Sequence, residues 1–121
     1  MGVASVHTRI TSKHGSVDIP VGATGTIVID LAQASANWCA LARHVAPAAC
    51  AAVVKADAYG MGAARIIPAL VAAGCRHFFV ATPQEASAAP GHRPDKPNYA
   101  LDGLIPGTAL DLMRIRAMQQ W

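Results

Sequence analysis

The stretch from Cys50 to Gly62, CAAVVKADAYGMG, places a single lysine after an apolar, β-branched run and follows it with a tyrosine and two glycines. Lys55 stands where a buried strand would end. An amine held against apolar neighbours has its charged form disfavoured, which frees the lone pair for attack on a carbonyl. Schiff-base chemistry needs such a group. Tyr59, four residues on, brings a phenol to the same rim, and the backbone at Gly60 and Gly62 lets a bulky ligand approach closely. The alternative for Lys55 is a stem packed on the rim with its ammonium kept in water. Spacing alone leaves both open.

Other side chains offer less. Asp30, Thr82 and Asp102 also fall at predicted strand ends, where they line the same rim or cap the following helices. Glu85 reads as an early-helix carboxylate favourable to the helix dipole, and Trp38 as a core residue. The five histidines, His7, His14, His44, His77 and His92, show no ligand spacing, so no metal site is expected. Cys39, Cys50 and Cys75 form no CxxC pair and are odd in number, which argues against a disulfide framework and for a reducing cytosol.

The elements that must position Lys55 follow from hydrophobic period. Residues 1 to 22 are polar and aperiodic and read as an irregular N-terminal arm, with order beginning at residue 23. Thr26 to Ile29 reads as a strand, and Leu31, Trp38, Leu41 and Val45 as one face of a helix ended by Pro47. CAAVVKADAYG is a second strand ending near Lys55 to Asp57. AARIIPALVAAGC is a helix in which Pro68 is tolerable only in an early turn. HFFVAT, residues 77 to 82, is a continuous apolar strand of the kind covered on both faces. PQEASAA opens a helix that Pro90-Gly91 cuts short, NYALDG is a fourth strand, and a last helix is predicted from Leu110 to about Met118. Strand and helix alternate four times, which predicts a parallel sheet of α/β class. Units of about 25 residues suit a (β/α) barrel, and a complete eight-unit barrel takes ~250 residues.

Composition narrows the class. The chain has 121 residues, is 53% hydrophobic and 14% charged, and carries a formal charge of +3. Those values favour a folded domain over disorder. Basic residues are scattered and do not interleave with aromatics, so a nucleic-acid platform is not expected. No apolar run approaches the ~20 residues needed to cross a bilayer. The first twenty residues lack a secretory h-region, and Val6 breaks the myristoylation pattern.

VVKADAYGMG resembles the cofactor-lysine motif of the alanine racemase family, usually VVKA-N/D-AYG-x-G. GTIVIDLAQASANWCALARHVAP is similar to that family's first strand and helix, AGCRHFFVATPQEA to its third strand, and YALDGLIPGT to its fourth, so the likeness spans residues 23 to 108. The resemblance implies a pyridoxal 5'-phosphate isomerase of the cytoplasm that interconverts L- and D-alanine for peptidoglycan synthesis. It implies a homodimer with the active site at the subunit interface. Carried over by position, Lys55 matches the Schiff-base lysine, one of two bases that move the α-proton, and Tyr59 matches the tyrosine that hydrogen-bonds the cofactor phosphate.

The sequence departs from the family at Met61, where histidine is common. It departs again in EASAAPGHRPDKP, whose prolines and glycine suit the family's third helix poorly. The remaining barrel strands, the C-terminal β domain and its tyrosine base have no counterpart before Trp121. The expectation is therefore a partial (β/α)8 TIM-type barrel, about its first four βα units over residues 23–121, with one catalytic base. The rival expectations are a non-catalytic remnant that at most binds cofactor, and a single-domain pyridoxal-phosphate carrier. The KADAYG context and the IDL opening favour the racemase family over the carrier.

Overall fold

The computed structural model describes residues 7–12, 15–88, 98–103, 106–107, 109–114 and 118–119. The chain divides into two compact units, 1–30 and 31–121.

The first unit holds a hairpin. Strand β1 (His7–Ser12) pairs antiparallel with β2 (Gly15–Pro20), in register from His7↔Pro20 to Ser12↔Gly15. The arm expected to be irregular is thus partly a β-ribbon. Its strands carry the β-branched residues Thr8, Ile10, Thr11, Val17 and Ile19, which suit a pleated pair. Gly15 opens β2 at φ 119°, a conformation that a side chain would strain. The strand expected over Thr26 to Ile29 forms no ladder among the described residues, and Ile27 and Val28 are 89% and 59% exposed. β-Branched character favours a strand only when a partner supplies hydrogen bonds and packing.

The second unit is a parallel α/β sheet with helices between its strands. Strands β3 (Ala52–Val53), β4 (Phe78–Val80), β5 (Asn98–Ala100) and β6 (Met118–Gln119) lie in that order, each parallel to the next. Side chains alternate across the sheet. Phe78, Val80, Asn98 and Ala100 are buried, whereas Phe79 and Tyr99 turn the other way and stack at 4.7 Å between centroids. His77 Nδ1 lies 3.0 Å from the Tyr99 hydroxyl on that second face.

The buried face is closed by helix. Helix α1 (Leu31–Val45) packs along the shorter α3 (Ala63–Ala73) through Leu31, Ala34 and Trp38, and Ser35 Oγ donates to Ala69 O at 3.4 Å. The expected stripe is only half realised, because Leu41 and Val45 are exposed and the small residues Ala34, Ser35 and Cys39 make the contact instead. Small side chains let two helices approach closely. Ile66, Ile67 and Leu70 of α3 are buried against Val54, Phe78 and Val80. Pro68 lies inside α3 at its sixth position, beyond the early turn to which such a residue was expected to be confined. An interior proline forfeits about 3 kcal/mol of helix stability. The three buried aliphatic side chains around it, at roughly 1.5–3 kcal/mol each, outweigh that loss.

Of the last two helices, one accords with expectation and one differs. Helix α4 (Pro83–Ala88) is short, as Pro90 suggested, although the prolines from 90 to 97 lie outside the described residues. Helix α5 spans Ala109–Arg114, and Met118, expected at the end of that helix, instead joins the sheet as part of β6 opposite Tyr99. The apolar spacing of Leu110 and Met113 runs on in helical period past Arg114, which hides the strand from a periodicity argument. Among the described residues no helix is long and apolar enough to cross a membrane.

Candidate active site

Strand β3 ends at Val53, two residues earlier than the sequence suggested, and Val54 N–H still donates to Phe79 O at 2.8 Å. Lys55 then opens α2 (Lys55–Tyr59), a single turn of the opposite hand. Ala56, Asp57, Ala58 and Tyr59 all have φ between 51° and 57°. L-residues lose of order 1–2 kcal/mol each in this left-handed region. Four in succession therefore require compensation from outside the turn.

That compensation is visible. Within the turn, Ala58 N–H donates to Val54 O at 3.0 Å and Gly60 N–H to Ala56 O at 3.0 Å. Gly60 closes it at φ 79°, where no Cβ is present to strain. The Ala58 side chain is 1% exposed and anchored in the core. Two carboxylates hold the turn to its surroundings. Asp57 Oδ1 accepts from Ala63 N–H at 2.8 Å and so caps α3, whose own N-cap, Gly62, has no side chain. Glu85 Oε1 accepts from Ala56 N–H at 3.0 Å, and its Oε2 accepts from Ala81 N–H at 2.8 Å.

The carboxyl ends of three adjacent parallel strands meet here. Beyond β3 stands the lysine turn. Beyond β4 lie Ala81 and Thr82, and beyond β5 Leu101 and Asp102 donate their N–H groups to Val80 O and Ala81 O at 2.9 Å each. Open α/β sheets bind ligands outside this edge. Lys55 is half-buried, and among the described residues its ammonium has no hydrogen-bond or ion-pair partner. Tyr59, 60% exposed, sits one left-handed turn further on. A Cβ built on Gly60 or Gly62 meets no atom within 4 Å among the described residues, which leave the rim over the turn open. An apolar cavity of about 220 Å³ borders the turn from the helix side, between Val54, Ala63, Ile67 and Val80, with Asp57 and Glu85 at its edge.

The other expected rim residues separate. Thr82 is a helix cap, its Oγ1 accepting from Glu85 N–H at 3.2 Å. Asp102 is exposed at the β5 edge, and Asp30 belongs to the first unit. Met61, where the family commonly has histidine, is 41% exposed. Trp38 packs against the core as expected, although its buried Nε1 has no partner among the described residues. Reading Glu85 only as a dipole-complementing residue missed its two backbone partners. The signal was present in Thr82-Pro83-Gln84-Glu85, a capping-box pattern whose carboxylate reaches back toward the preceding backbone.

A parallel α/β sheet with a half-buried lysine on a strained turn at its carboxyl edge defines a lysine-site α/β protein. Residues 29–119 match the family described as alanine racemase, N-terminal domain, and the chain belongs to that family. It is 53% identical over 89 residues to the alanine racemase of Brucella ovis, an alignment covering 73% of this chain and 22% of that one. It is 48% identical over 99 residues to the alanine racemase of Methylobacterium sp. strain 4-46, covering 82% of this chain and 25% of that one. The crystal structure of alanine racemase from Bartonella henselae, with covalently bound pyridoxal phosphate, matches with a TM-score of 0.69 at 40% identity, over 75% of this chain and 26% of that one. The chain thus spans about a quarter of the length of these relatives.

Proposed function

We propose that this chain is the cofactor-holding part of an alanine racemase and that Lys55 is its pyridoxal-phosphate lysine. The observation that carries the reading is the position of Lys55: half-buried at the carboxyl end of β3, on a turn whose handedness is held by groups from two later elements. The residues present fit the cofactor in kind. An amine suits its aldehyde, the exposed Tyr59 phenol is a donor for its phosphate, and the open rim at Gly60 and Gly62 admits its ring. Bound there, pyridoxal phosphate supplies an electron sink that makes the substrate's α-hydrogen acidic. The Lys55 amine is the base for that proton on one face of the α-carbon.

Inversion requires a proton to leave from one face and return to the other. Lys55 serves one face, and the other needs a second group. We therefore propose that these 121 residues capture the cofactor without completing turnover, and that the whole racemase interconverts L- and D-alanine for peptidoglycan. The same proposal includes a complete (β/α)8 barrel, a homodimer and a cytoplasmic location, with which the three free thiols accord.

Titration of the chain with pyridoxal phosphate tests the first claim. A new near-visible absorption band is expected, lost in Lys55→Ala. Tyr59→Phe should weaken binding by about tenfold or more, the loss of one hydrogen bond to a charged group. Absence of any band in the parent chain refutes the reading, and a coupled assay showing alanine turnover by the 121 residues refutes the division of labour.

A further inference from the structure

We infer that Glu85 is the positioning residue for Lys55. The inference rests on the proposed role of Lys55 and deepens it. A left-handed turn leaves its first N–H groups without partners inside the turn, as any helix end does. Ala56, the residue directly after Lys55, has such an N–H, and Glu85 Oε1 accepts from it at 3.0 Å. That bond orients the peptide plane joining Lys55 to Ala56 at the point where the chain changes hand. The second oxygen of the same carboxylate accepts from Ala81 N–H at 2.8 Å, at the end of β4. Thr82 Oγ1 in turn holds the backbone N–H of Glu85 at 3.2 Å, so the carboxylate projects from an anchored first turn of α4.

One side chain therefore clamps two neighbouring strand ends, and the lysine stands beside one of them. An ionised carboxylate has acceptor sites for both N–H groups, and its charge strengthens each bond. An amide of the same shape has one acceptor oxygen and would set its NH₂ against the other N–H. The clamp thus depends on the charge state and length of Glu85 and not on its bulk. Without it, the amine of Lys55 loses its fixed register against β4, where a ligand seated over the carboxyl edge must meet it.

The test measures pyridoxal-phosphate affinity, unfolding stability and amide hydrogen exchange on the full chain and its variants. Glu85→Gln is expected to bind pyridoxal phosphate about tenfold more weakly, the loss of one charge-assisted hydrogen bond, with faster exchange at Ala56 and Ala81. Ala86→Gly is the control, because it weakens α4 without touching either N–H group. It should lower stability while leaving affinity unchanged. If Glu85→Gln does not fold, Glu85→Asp serves instead, since it keeps the charge and is one methylene too short to span both donors. Equal affinity in the parent chain and Glu85→Gln overturns this inference alone. Equal loss of affinity in Ala86→Gly and Glu85→Gln overturns it too, since the effect would then be general destabilisation. Failure of the parent chain to bind overturns the cofactor reading, and the positioning role with it.

Discussion

Replacing one alanine by glycine at two places should move stability in opposite directions. Ala56 is exposed and has φ 51°. Its Cβ loses about 1–2 kcal/mol in the left-handed region, which glycine recovers. Glycine also loses more backbone freedom on folding, by roughly 0.5–1 kcal/mol. The difference predicts that Ala56→Gly stabilises the chain by about 0.5–1 kcal/mol. Ala36 is also exposed but lies inside the right-handed α1. There Ala→Gly should destabilise by about 1 kcal/mol. Neither change touches the hydrogen bond from Ala56 N–H to Glu85, because glycine keeps its backbone donor. Urea denaturation of the parent and both variants measures the two effects, provided the slope with denaturant is shared. A loss at Ala56 equal to that at Ala36 would refute the left-handed turn and the strain argument built on it.

Further outcomes follow from burial and bonding. Leu70→Ala, at a residue 6% exposed between sheet and α1, should destabilise by about 2–5 kcal/mol in the same denaturation assay. Tyr99→Phe removes the 3.0 Å contact to His77 but keeps the ring stack on Phe79, so a smaller loss of about 0.5–1.5 kcal/mol is expected. Burial pushes the Cys75 thiol above its usual range, with backbone hydrogen bonding opposing it only in part. Its raised folded value means that folding favours the neutral thiol, a contribution complete below the ordinary thiol range and lost as pH climbs through the raised value. Stability should therefore fall at alkaline pH less steeply in Cys75→Ala than in the parent, and the half-buried Cys39 and Cys50 should react with a thiol reagent before Cys75 does.

Much of the sheet was legible because its signals are local. The apolar run of HFFVAT and the 3.6-residue spacing of Ile66, Ile67 and Leu70 each depend on a few neighbouring residues, and β4 and α3 lie where those patterns place them. Lys55 was legible as a strand-end amine for the same reason. The handedness of its turn was not. Lys-Ala-Asp-Ala-Tyr contains no glycine, and its residues ordinarily favour a right-handed helix or an extended chain. The bonds that tie the turn to its surroundings, from Ala56 N–H to Glu85 and from Ala63 N–H to Asp57, join residues 29 and 6 positions apart. Thr26 to Ile29 shows the reverse case, in which strong β propensity without a ladder partner among the described residues produced no strand. The β1–β2 hairpin was hidden by threonine and serine, which read as polar loop although threonine is β-branched.

The chain has three lysines, Lys13, Lys55 and Lys96, so the central claim reduces to which of them takes the cofactor. Incubation with pyridoxal phosphate, reduction with borohydride and peptide mass mapping measures this directly. Addition at Lys55 alone, near one per chain, is the predicted result. Labelling shared evenly with Lys13 and Lys96, or unchanged in total when Lys55 is replaced by alanine, would contradict it.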